Sequence, residues 1–140
     1  MTTNILKSYI TDVADFPKKG IIFKDITSLL ESPKGVKICL DSLLSGLKNK
    51  QIDKVVAVEA RGFFFGMLLA QSLKVPFVPV RKPRKLPQKV VSQSFDLEYG
   101  SDVLEMHQNA IKPGDKILIH DDVLATGGTA EAVCKMVESL

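Results

Sequence analysis

The most informative segment of the sequence is Ile117-Leu118-Ile119-His120-Asp121-Asp122-Val123-Leu124-Ala125-Thr126-Gly127-Gly128-Thr129. Its aliphatic start predicts a buried strand, which runs into two carboxylates and then into a small glycine-rich turn that opens a helix. Glycines allow backbone N–H groups to converge on a phosphate at a helix N-terminus. Asp121 and Asp122 are placed to accept hydrogen bonds from the two hydroxyls of a ribose. A capped turn with solvated acids is the simpler alternative, but the whole string is far more specific than a Gly-Gly pair.

Short apolar runs alternate with helical patterns along the rest of the chain. Strands are predicted over 54–58, 76–81 and 116–120, and helices over 5–13, from the N-cap Ser32 onward, over 63–73 and over a last stretch that carries Val133, Met136, Val137 and Leu140. This alternation predicts an α/β fold with a doubly wound, mostly parallel sheet. In that architecture, ligands bind beyond the carboxyl ends of the strands.

The segment 82–108 departs from this pattern. It opens with a basic, proline-broken run from Lys82 to Lys89, and apolar residues such as Val91 and Phe95 then follow a two-residue period. We interpret the segment as a long, flexible excursion, and such excursions in a compact domain are more often functional than accidental. A merely solvated basic loop is the alternative.

Composition limits the class of protein. The chain has 140 residues, 45% of them hydrophobic, which is enough for one substantial core and short of two ordinary domains. Its 19 Lys and Arg against 16 Asp and Glu leave a net charge of +3, too small to predict nucleic-acid or membrane binding. Two cysteines do not make a disulfide framework, and we find no signal-peptide or membrane-spanning run. We therefore predict a cytoplasmic protein that binds neither nucleic acid nor membrane.

The string that ends at Thr129 resembles the motif with which type I phosphoribosyltransferases bind phosphoribosyl pyrophosphate (PRPP). Other segments are similar to the adenine phosphoribosyltransferase family, in the family's order and at similar spacings. They are Phe16-Pro17, Gly20-Ile21-Ile22-Phe23-Lys24-Asp25-Ile26, Ala60-Arg61-Gly62-Phe63, Arg81-Lys82 with Lys85-Leu86-Pro87, and Leu97-Glu98-Tyr99-Gly100. The resemblance covers essentially the whole chain. It implies an enzyme that joins adenine to PRPP, giving AMP and pyrophosphate.

The resemblance also implies a single phosphoribosyltransferase domain over residues 1–140. Within it, residues 1–30 would hold the N-terminal helix and a hood over the base. The flexible catalytic loop would lie in 82–108, and the PRPP motif with its helix in 116–140.

Several residues would bind PRPP by the same resemblance. Asp121 and Asp122 would take the ribose hydroxyls, and the 5′-phosphate would meet Ala125, Thr126, Gly127, Gly128 and Thr129. The pyrophosphate would meet Ala60, Arg61, Arg81, Lys82 and Lys85. A non-proline cis peptide is implied between Glu59 and Ala60. A simple surface ion pair is the alternative role for Arg61.

Adenine would lie under the hood formed by Ile22, Phe23 and Lys24, where backbone groups read the base edge and Phe23 stacks on the ring. Val123 would face the base from the other side, and Tyr99 lies on the loop. Glu98 would reach adenine N7 and hold or relay a proton. The resemblance thus makes Glu98, Arg61 and Lys85 the catalytic residues. Phe23 as ordinary core and Glu98 as a solvated acid are the alternatives.

The expected cofactor is Mg²⁺, which would be bound through PRPP and not by direct protein ligands. His107 and His120 have no partners at metal-ligand spacing, so we interpret neither as a ligand. The expected partners are adenine, PRPP and a second copy of the chain in a homodimer. Two alternatives stay open: a phosphoribosyltransferase for another base, such as hypoxanthine or orotate, and a PRPP-binding fragment or regulator without turnover.

The family usually continues beyond Leu140 with further strands, so we expect a truncated chain. A helix that follows a parallel strand needs another strand to cover its apolar face. The face formed by Val133, Met136 and Val137 is therefore expected to lie partly bare.

Overall fold

The computed structural model describes residues 2–97 and 100–140, and residues 2–4 through their backbone alone. These residues fall into two compact units, Met1–Asn49 and Lys50–Leu140, and the single-domain division stays a prediction. The N-terminal unit contains α1 (Thr2–Lys7), β1 (Thr11–Ala14), β2 (Ile22–Asp25), α2 (Thr27–Leu30) and α3 (Pro33–Ser45). The C-terminal unit contains β3 (Lys54–Val58), α4 (Gly62–Leu73), β4 (Phe77–Val80), β5 (Val90–Asp96), β6 (Ser101–His107), β7 (Ile117–His120) and α5 (Gly128–Glu138). Among the described helices, none has the length and hydropathy to cross a membrane.

In the N-terminal unit, one helix predicted from the sequence is shorter than expected. The helix predicted over 5–13 ends at Lys7, and Val13 lies in β1, opposite Phe23 of β2 in an antiparallel pair. The β-branched Thr11 and Val13 favour a strand, and pairing with β2 outweighs a helical spacing that only a few residues carry. The predicted start of α3 is confirmed, because the Ser32 side chain accepts a hydrogen bond from the Gly35 N–H at 3.1 Å.

A parallel three-stranded sheet forms the centre of the C-terminal unit, in the order β4-β3-β7. The three strands predicted from the sequence are confirmed, with end shifts of a residue or so. Alternate residues of a strand point to opposite faces of the sheet. Val56 and Val58 belong to the cluster that includes residues of α5, while Ala57 faces α4. Helices therefore cover both faces, which confirms the doubly wound α/β fold.

Segment 82–108 forms a β-hairpin in its second half. β5 and β6 pair antiparallel, with Val91 opposite Met106 and Phe95 opposite Asp102. The two-residue period in the sequence thus marks a strand, as its spacing indicates. Arg81, just after β4, forms an isolated antiparallel bridge with Glu105 of β6.

The expectation of a partly bare face on α5 is wrong for its two central residues. Val133 is 0% exposed and Met136 is 1% exposed. The β5–β6 hairpin supplies the cover that a further sheet strand was expected to supply, since Leu104 and Met106 belong to the same buried cluster. Val137 is half-buried against that cluster.

Gly66→Ala should destabilise the C-terminal unit. α4 approaches β3 so closely that a Cβ on Gly66 would lie 2.6 Å from the Cβ of Ala57. Ala normally favours a helix interior over Gly by about 1 kcal/mol. Overpacking a dense core costs about 1–3 kcal/mol, and a clash this short lies at the severe end, so the clash should dominate. We expect thermal denaturation to show a melting temperature lower by about 3–8 °C.

Gly46→Ala is the matched control. Gly46 ends α3 with φ −72°, and a Cβ there would meet only the carbonyl oxygen of Leu43, at 3.5 Å. Its melting temperature should equal or exceed that of the parent. A Gly66→Ala protein as stable as the parent would contradict the close packing of α4 on β3.

Candidate active site

Two strand ends meet at one edge of the parallel sheet. β3 pairs with β7 so that Ala57 lies opposite His120, and the chain leaves both strands on the same side. β3 leads through Glu59 and Ala60 into α4, and the cis peptide implied between these two residues is confirmed. β7 leads through Asp121 into the glycine-rich turn. The two connections are close, since a Cβ on Gly62 would lie 3.0 Å from Asp121 Oδ1.

A cavity of about 340 Å³ opens beyond these strand ends. It brings together many of the predicted site residues: Ala60, Arg61, Lys82, Asp121, Asp122, Val123, Ala125, Thr126, Gly127, Gly128 and Thr129. Its lining also contains residues that were not predicted from the sequence: Val58, Glu59, Phe95, Leu97, Asp102, Leu104, Leu124 and Ala130. All of these residues belong to the C-terminal unit.

The other predicted site residues do not line this cavity or lie outside the described residues. Arg81 and Lys85 are not among the described lining residues. Ile22, Phe23 and Lys24 belong to β2 of the N-terminal unit. The proposed catalytic Glu98 and its neighbour Tyr99 lie outside the described residues.

Asp122 and Arg61 join the two strand ends electrostatically. Arg61 Nε lies 2.9 Å from Asp122 Oδ2, and the Asp122 side chain is only 9% exposed. The ion pair lacks the alignment of a hydrogen bond, so this buried oxygen has no hydrogen-bond partner among the described residues. A buried carboxylate oxygen without a hydrogen bond is costly and is available to a ligand's hydroxyl group.

Asp121 lies in a less favourable place for a charge. Burial and the neighbouring Asp122 carboxylate raise the pKa of Asp121 to about 6, against the opposing hydrogen bond from the Asp122 N–H and the charge of Arg61. That N–H donates to Asp121 Oδ1 at 2.8 Å. Burial also lowers the pKa of His120, although the Asp122 carboxylate opposes this shift. Burial therefore disfavours the charged forms of both Asp121 and His120.

The turn before α5 has the backbone geometry of an anion site. Gly127 precedes the helix with φ +88° and ψ −4°, in the left-handed region that favours glycine. α5 begins at Gly128, and Thr126 and Thr129 flank the two glycines. The first N–H groups of a helix have no acceptor within it, and the helix dipole favours an anion there.

Glu59 organises the basic segment that follows β4. Its carboxylate accepts hydrogen bonds from Arg81 Nε at 2.6 Å and from the Lys82 backbone N–H at 2.8 Å. Burial opposes ionisation of Glu59, but these hydrogen bonds, with the charges of Arg81 and Lys85, lower its pKa overall. Arg81 also donates to the Lys85 carbonyl at 3.3 Å. The guanidinium of Arg81 is thus committed to protein partners at the rim of the cavity.

The sequence contained a signal for Glu59, which immediately precedes the Ala60-Arg61-Gly62-Phe63 segment at a strand end. It contained none for Asp102. That residue contacts Lys82 in an ion pair only because the hairpin register places it at the cavity.

The predicted hood forms its own local structure in the N-terminal unit. Phe23 is half-buried and packs edge-on against Phe16, with ring centroids 5.1 Å apart. The Lys24 ammonium forms an ion pair with Asp12 at 2.6 Å, while Ile22 is 62% exposed.

The described residues contain no group of three or more His, Cys, Asp or Glu side chains placed to hold a metal ion. Asp121 and Asp122 are adjacent carboxylates in the cavity lining. Two carboxylates can support a metal ion that brings its remaining oxygen ligands from a phosphate substrate.

The comparisons with known proteins agree with this geometry. A phosphoribosyl transferase domain matches residues 25–140. An adenine phosphoribosyltransferase of Flavobacterium johnsoniae is 62% identical over 135 residues, which are 96% of this chain and 79% of the relative. The crystal structure of the Thermoanaerobacter pseudethanolicus adenine phosphoribosyltransferase superposes with a TM-score of 0.95 at 49% identity, over 98% of this chain and 80% of that one. The Saccharomyces cerevisiae enzyme, complexed with an imino-altritol bisphosphate and adenine, gives 0.95 at 38% identity, over 99% and 81%.

The doubly wound sheet, with acids and a glycine-rich turn beyond one strand, defines the class of phosphoribosyltransferase domains. Within that class, the identity and coverage of its relatives show that the chain belongs to the adenine phosphoribosyltransferase family. The family resemblance noted in the sequence is confirmed.

The raised pKa of Asp121 predicts a pH-dependent effect of Asp121→Asn on stability. The folded-state pKa, about 6, exceeds the ordinary value of 3.8, so the unfolded chain loses this proton first as the pH rises. The parent therefore loses stability between about pH 4 and pH 6, and the variant does not. We expect the melting temperature of the variant, relative to the parent, to be higher at pH 7.5 than at pH 4.5.

Glu131→Gln provides a control of opposite sign. A hydrogen bond from Lys135 lowers the pKa of Glu131, so its ionised form stabilises the folded state as the pH rises. The melting temperature of this variant, relative to the parent, should therefore fall slightly at the higher pH. A pH-independent difference for Asp121→Asn would contradict the raised pKa.

Proposed function

We propose that the cavity beyond β3 and β7 binds PRPP and that the chain uses it to convert adenine and PRPP to AMP and pyrophosphate. The strongest support for this proposal is the arrangement of residues at the ends of β7 and β3. Asp121 and Asp122 lead from a buried strand directly into the turn that opens α5, and Arg61 faces them from the neighbouring strand end. One cavity thus offers carboxylates for the sugar hydroxyls, backbone N–H groups for the phosphate and basic side chains for the pyrophosphate. The names of the most similar relatives support the same reaction.

The 5′-phosphate of PRPP would bind at the start of α5. Backbone N–H groups of Gly127, Gly128 and Thr129 would donate to its oxygens, and the hydroxyls of Thr126 and Thr129 would add further donors. Asp122 would accept a hydrogen bond from a ribose hydroxyl through Oδ2, which is ion-paired with Arg61 but accepts no hydrogen bond from a described residue. These contacts fix the ribose at both ends, so the anomeric carbon is held in one orientation.

Displacement at the anomeric carbon gives the ribose oxocarbenium character as the bond to pyrophosphate loosens. The Asp121 and Asp122 carboxylates would stabilise that positive charge, and Arg61 with Lys82 would stabilise the leaving pyrophosphate. We propose Lys85 as a further pyrophosphate contact, which requires its side chain to turn into the cavity from the rim. Arg81 would contribute its charge from its place beside Glu59.

The charge balance of the cavity supports a requirement for Mg²⁺. Among the described residues, the lining contains the acids Glu59, Asp102, Asp121 and Asp122, but only Arg61 and Lys82 as bases. A polyanionic substrate entering this site needs further positive charge. Mg²⁺ that enters with the substrate would supply this charge and stabilise the leaving group, and Asp121 and Asp122 would help to hold it.

We propose that Val123 contacts adenine and that Ile22, Phe23 and Lys24 are the residues that read the base edge. Val123 is 43% exposed and lines the cavity, so its side chain is available for contact. Two solved relatives carry adenine or 9-deazaadenine, from Saccharomyces cerevisiae and Giardia lamblia. Glu98 would reach N7 and hold or relay a proton as the base loses its N9 proton, with Tyr99 beside it on the loop. Closure of that loop would exclude water from the reacting centre.

Gly127→Ala should raise the KM for PRPP by about tenfold, because 1.4 kcal/mol corresponds to a factor of ten. A Cβ at φ +88° costs about 1–2 kcal/mol, and the turn that would have to relax is the proposed phosphate site. The assay is AMP formation from adenine, PRPP and Mg²⁺ by the 140-residue chain. No AMP formation by the parent would contradict the proposed function.

Gly114→Ala is the matched control for backbone strain. Gly114 also has φ +88°, and a Cβ there would meet nothing within 4 Å, as at Gly127. It does not line the cavity. The control should lose similar stability while keeping the parent's KM, and equal KM values in the two variants would contradict the phosphate assignment.

The base should be selected by backbone groups and not by the Lys24 side chain. Hypoxanthine exchanges donor for acceptor at both positions of the edge that adenine presents, and each mismatched buried group costs about 1–3 kcal/mol. We therefore expect adenine to be preferred by at least about a hundredfold in kcat/KM. The Lys24 ammonium is already held by Asp12, so Lys24→Ala should keep this preference. Specificity constants for adenine, hypoxanthine and guanine in both proteins measure it.

Comparable constants for adenine and hypoxanthine in the parent would favour a phosphoribosyltransferase for another base. PRPP binding without turnover of any base would favour the non-catalytic alternative. Loss of discrimination in Lys24→Ala alone would transfer base recognition to the Lys24 side chain.

We also propose that the chain forms a homodimer and acts in the cytoplasm. Phe64 and Met67, nearly one turn apart on α4, are 46% and 55% exposed, and such a face is suited to self-association. Sedimentation equilibrium measures the association directly.

A further inference from the structure

We propose that Asp102 is a counter-ion that competes with the substrate's pyrophosphate for Lys82 and thereby sets the affinity of the site for PRPP. The inference rests on the proposed PRPP site, and it assigns a role to an acid outside the sequence motifs of that site. Both residues line the cavity, and the Lys82 ammonium is ion-paired with Asp102 Oδ2. An anion that takes the ammonium must therefore displace a carboxylate.

The backbone on both sides of this ion pair is fixed. The Lys82 N–H donates to Glu59 Oε1 at 2.8 Å, and Arg81 is bridged to Glu105 of β6. On the other side, Asp102 lies opposite Phe95 in the hairpin register, and its Oδ1 accepts the Val103 N–H at 2.8 Å. Exchange between carboxylate and ligand then needs only rotation of the Lys82 side chain, which is 47% exposed.

The same arrangement explains why the competition matters for binding. Arg61, the other cation among the described lining residues, is ion-paired with Asp122. Each of these two bases is thus neutralised by an acid before the substrate arrives. When Lys82 turns from Asp102 to the pyrophosphate, its ion pair with Asp102 is lost. The Asp102 carboxylate then lies near the bound pyrophosphate and repels it, so Asp102 weakens binding in two ways.

Asp102→Asn tests the proposal, because the amide removes the charge and keeps an oxygen for the Val103 N–H. An exposed ion pair contributes modestly, so its removal should lower the KM for PRPP and the Kd for Mg-pyrophosphate by about two- to fivefold. The gain should shrink at high ionic strength, where the pair is screened. Steady-state kinetics and calorimetric titration of the full chain with Mg-pyrophosphate measure both quantities.

A double-mutant cycle with Lys82→Met separates competition from simple charge repulsion. In the Lys82→Met background no ion pair is lost, so Asp102→Asn should improve affinity by clearly less than in the parent. Asp41→Asn removes the same charge from an exposed pair with Lys37 on α3 and should leave affinity unchanged. Thermal denaturation establishes that each variant is folded.

Unchanged or weaker binding by the folded Asp102→Asn protein would overturn the counter-ion role. An equal gain in the parent and the Lys82→Met background would overturn it as well, since repulsion alone would then explain the effect. If the parent binds neither PRPP nor Mg-pyrophosphate, the proposed function fails and this inference fails with it. Parent binding without a gain in the variant leaves the proposed function intact and removes only the role of Asp102.

Discussion

Parallel pairing of β3 with β7 brings the two halves of the candidate site together. The strands run in the same direction, with Ala57 opposite His120, so Arg61 and Asp122 leave the sheet at one edge and form their ion pair there. An antiparallel partner would place these residues at opposite ends of the sheet. The pairing is itself stabilised by burial, since Val55, Val56 and Ala57 are 0% exposed. The position of the site residues therefore depends on apolar core residues that have no reactive groups of their own.

Among the described residues, the cavity lining has more acids than bases, although the proposed substrate is an anion. The acids and the anion-binding groups occupy different parts of the cavity. Asp121 and Asp122 lie at the end of β7, where a ribose and a metal ion would need oxygen ligands. The start of α5 offers N–H groups and a helix dipole, which attract phosphate without any charged side chain. Glu59 is neutralised by Arg81 and acts as a support for the segment that carries Lys82. Of the described lining acids, Asp102 alone has neither a proposed substrate contact nor a role in supporting the segment that follows β4, which is why its charge is expected to tune affinity.

The sequence predicted those parts of the fold that are encoded locally. The strand, acid and glycine order from Ile117 to Thr129 specifies its own conformation, and Ser32 marks the start of α3. The errors arose where a distant segment decides the outcome. Val13 joins a strand because β2 pairs with it, and Met136 is buried because the β5–β6 hairpin covers α5. The two-residue period over Val91 and Phe95 indicates a strand, but no local pattern shows that this strand packs against α5 or that β2 pairs with Val13.

The candidate site shows the same limit. The acids and glycines of the motif could be predicted from their order along the chain. Lys82 and Asp102 are twenty residues apart in sequence, and their contact depends on the register of the hairpin. A shift of that register by one residue would turn Asp102 to the other face of the hairpin and remove it from the cavity. The packing of the hairpin against α5, through Leu104 and Met106, opposes such a shift because it would expose both side chains. The hydrophobic contact that covers α5 therefore also determines which acid faces the proposed pyrophosphate site.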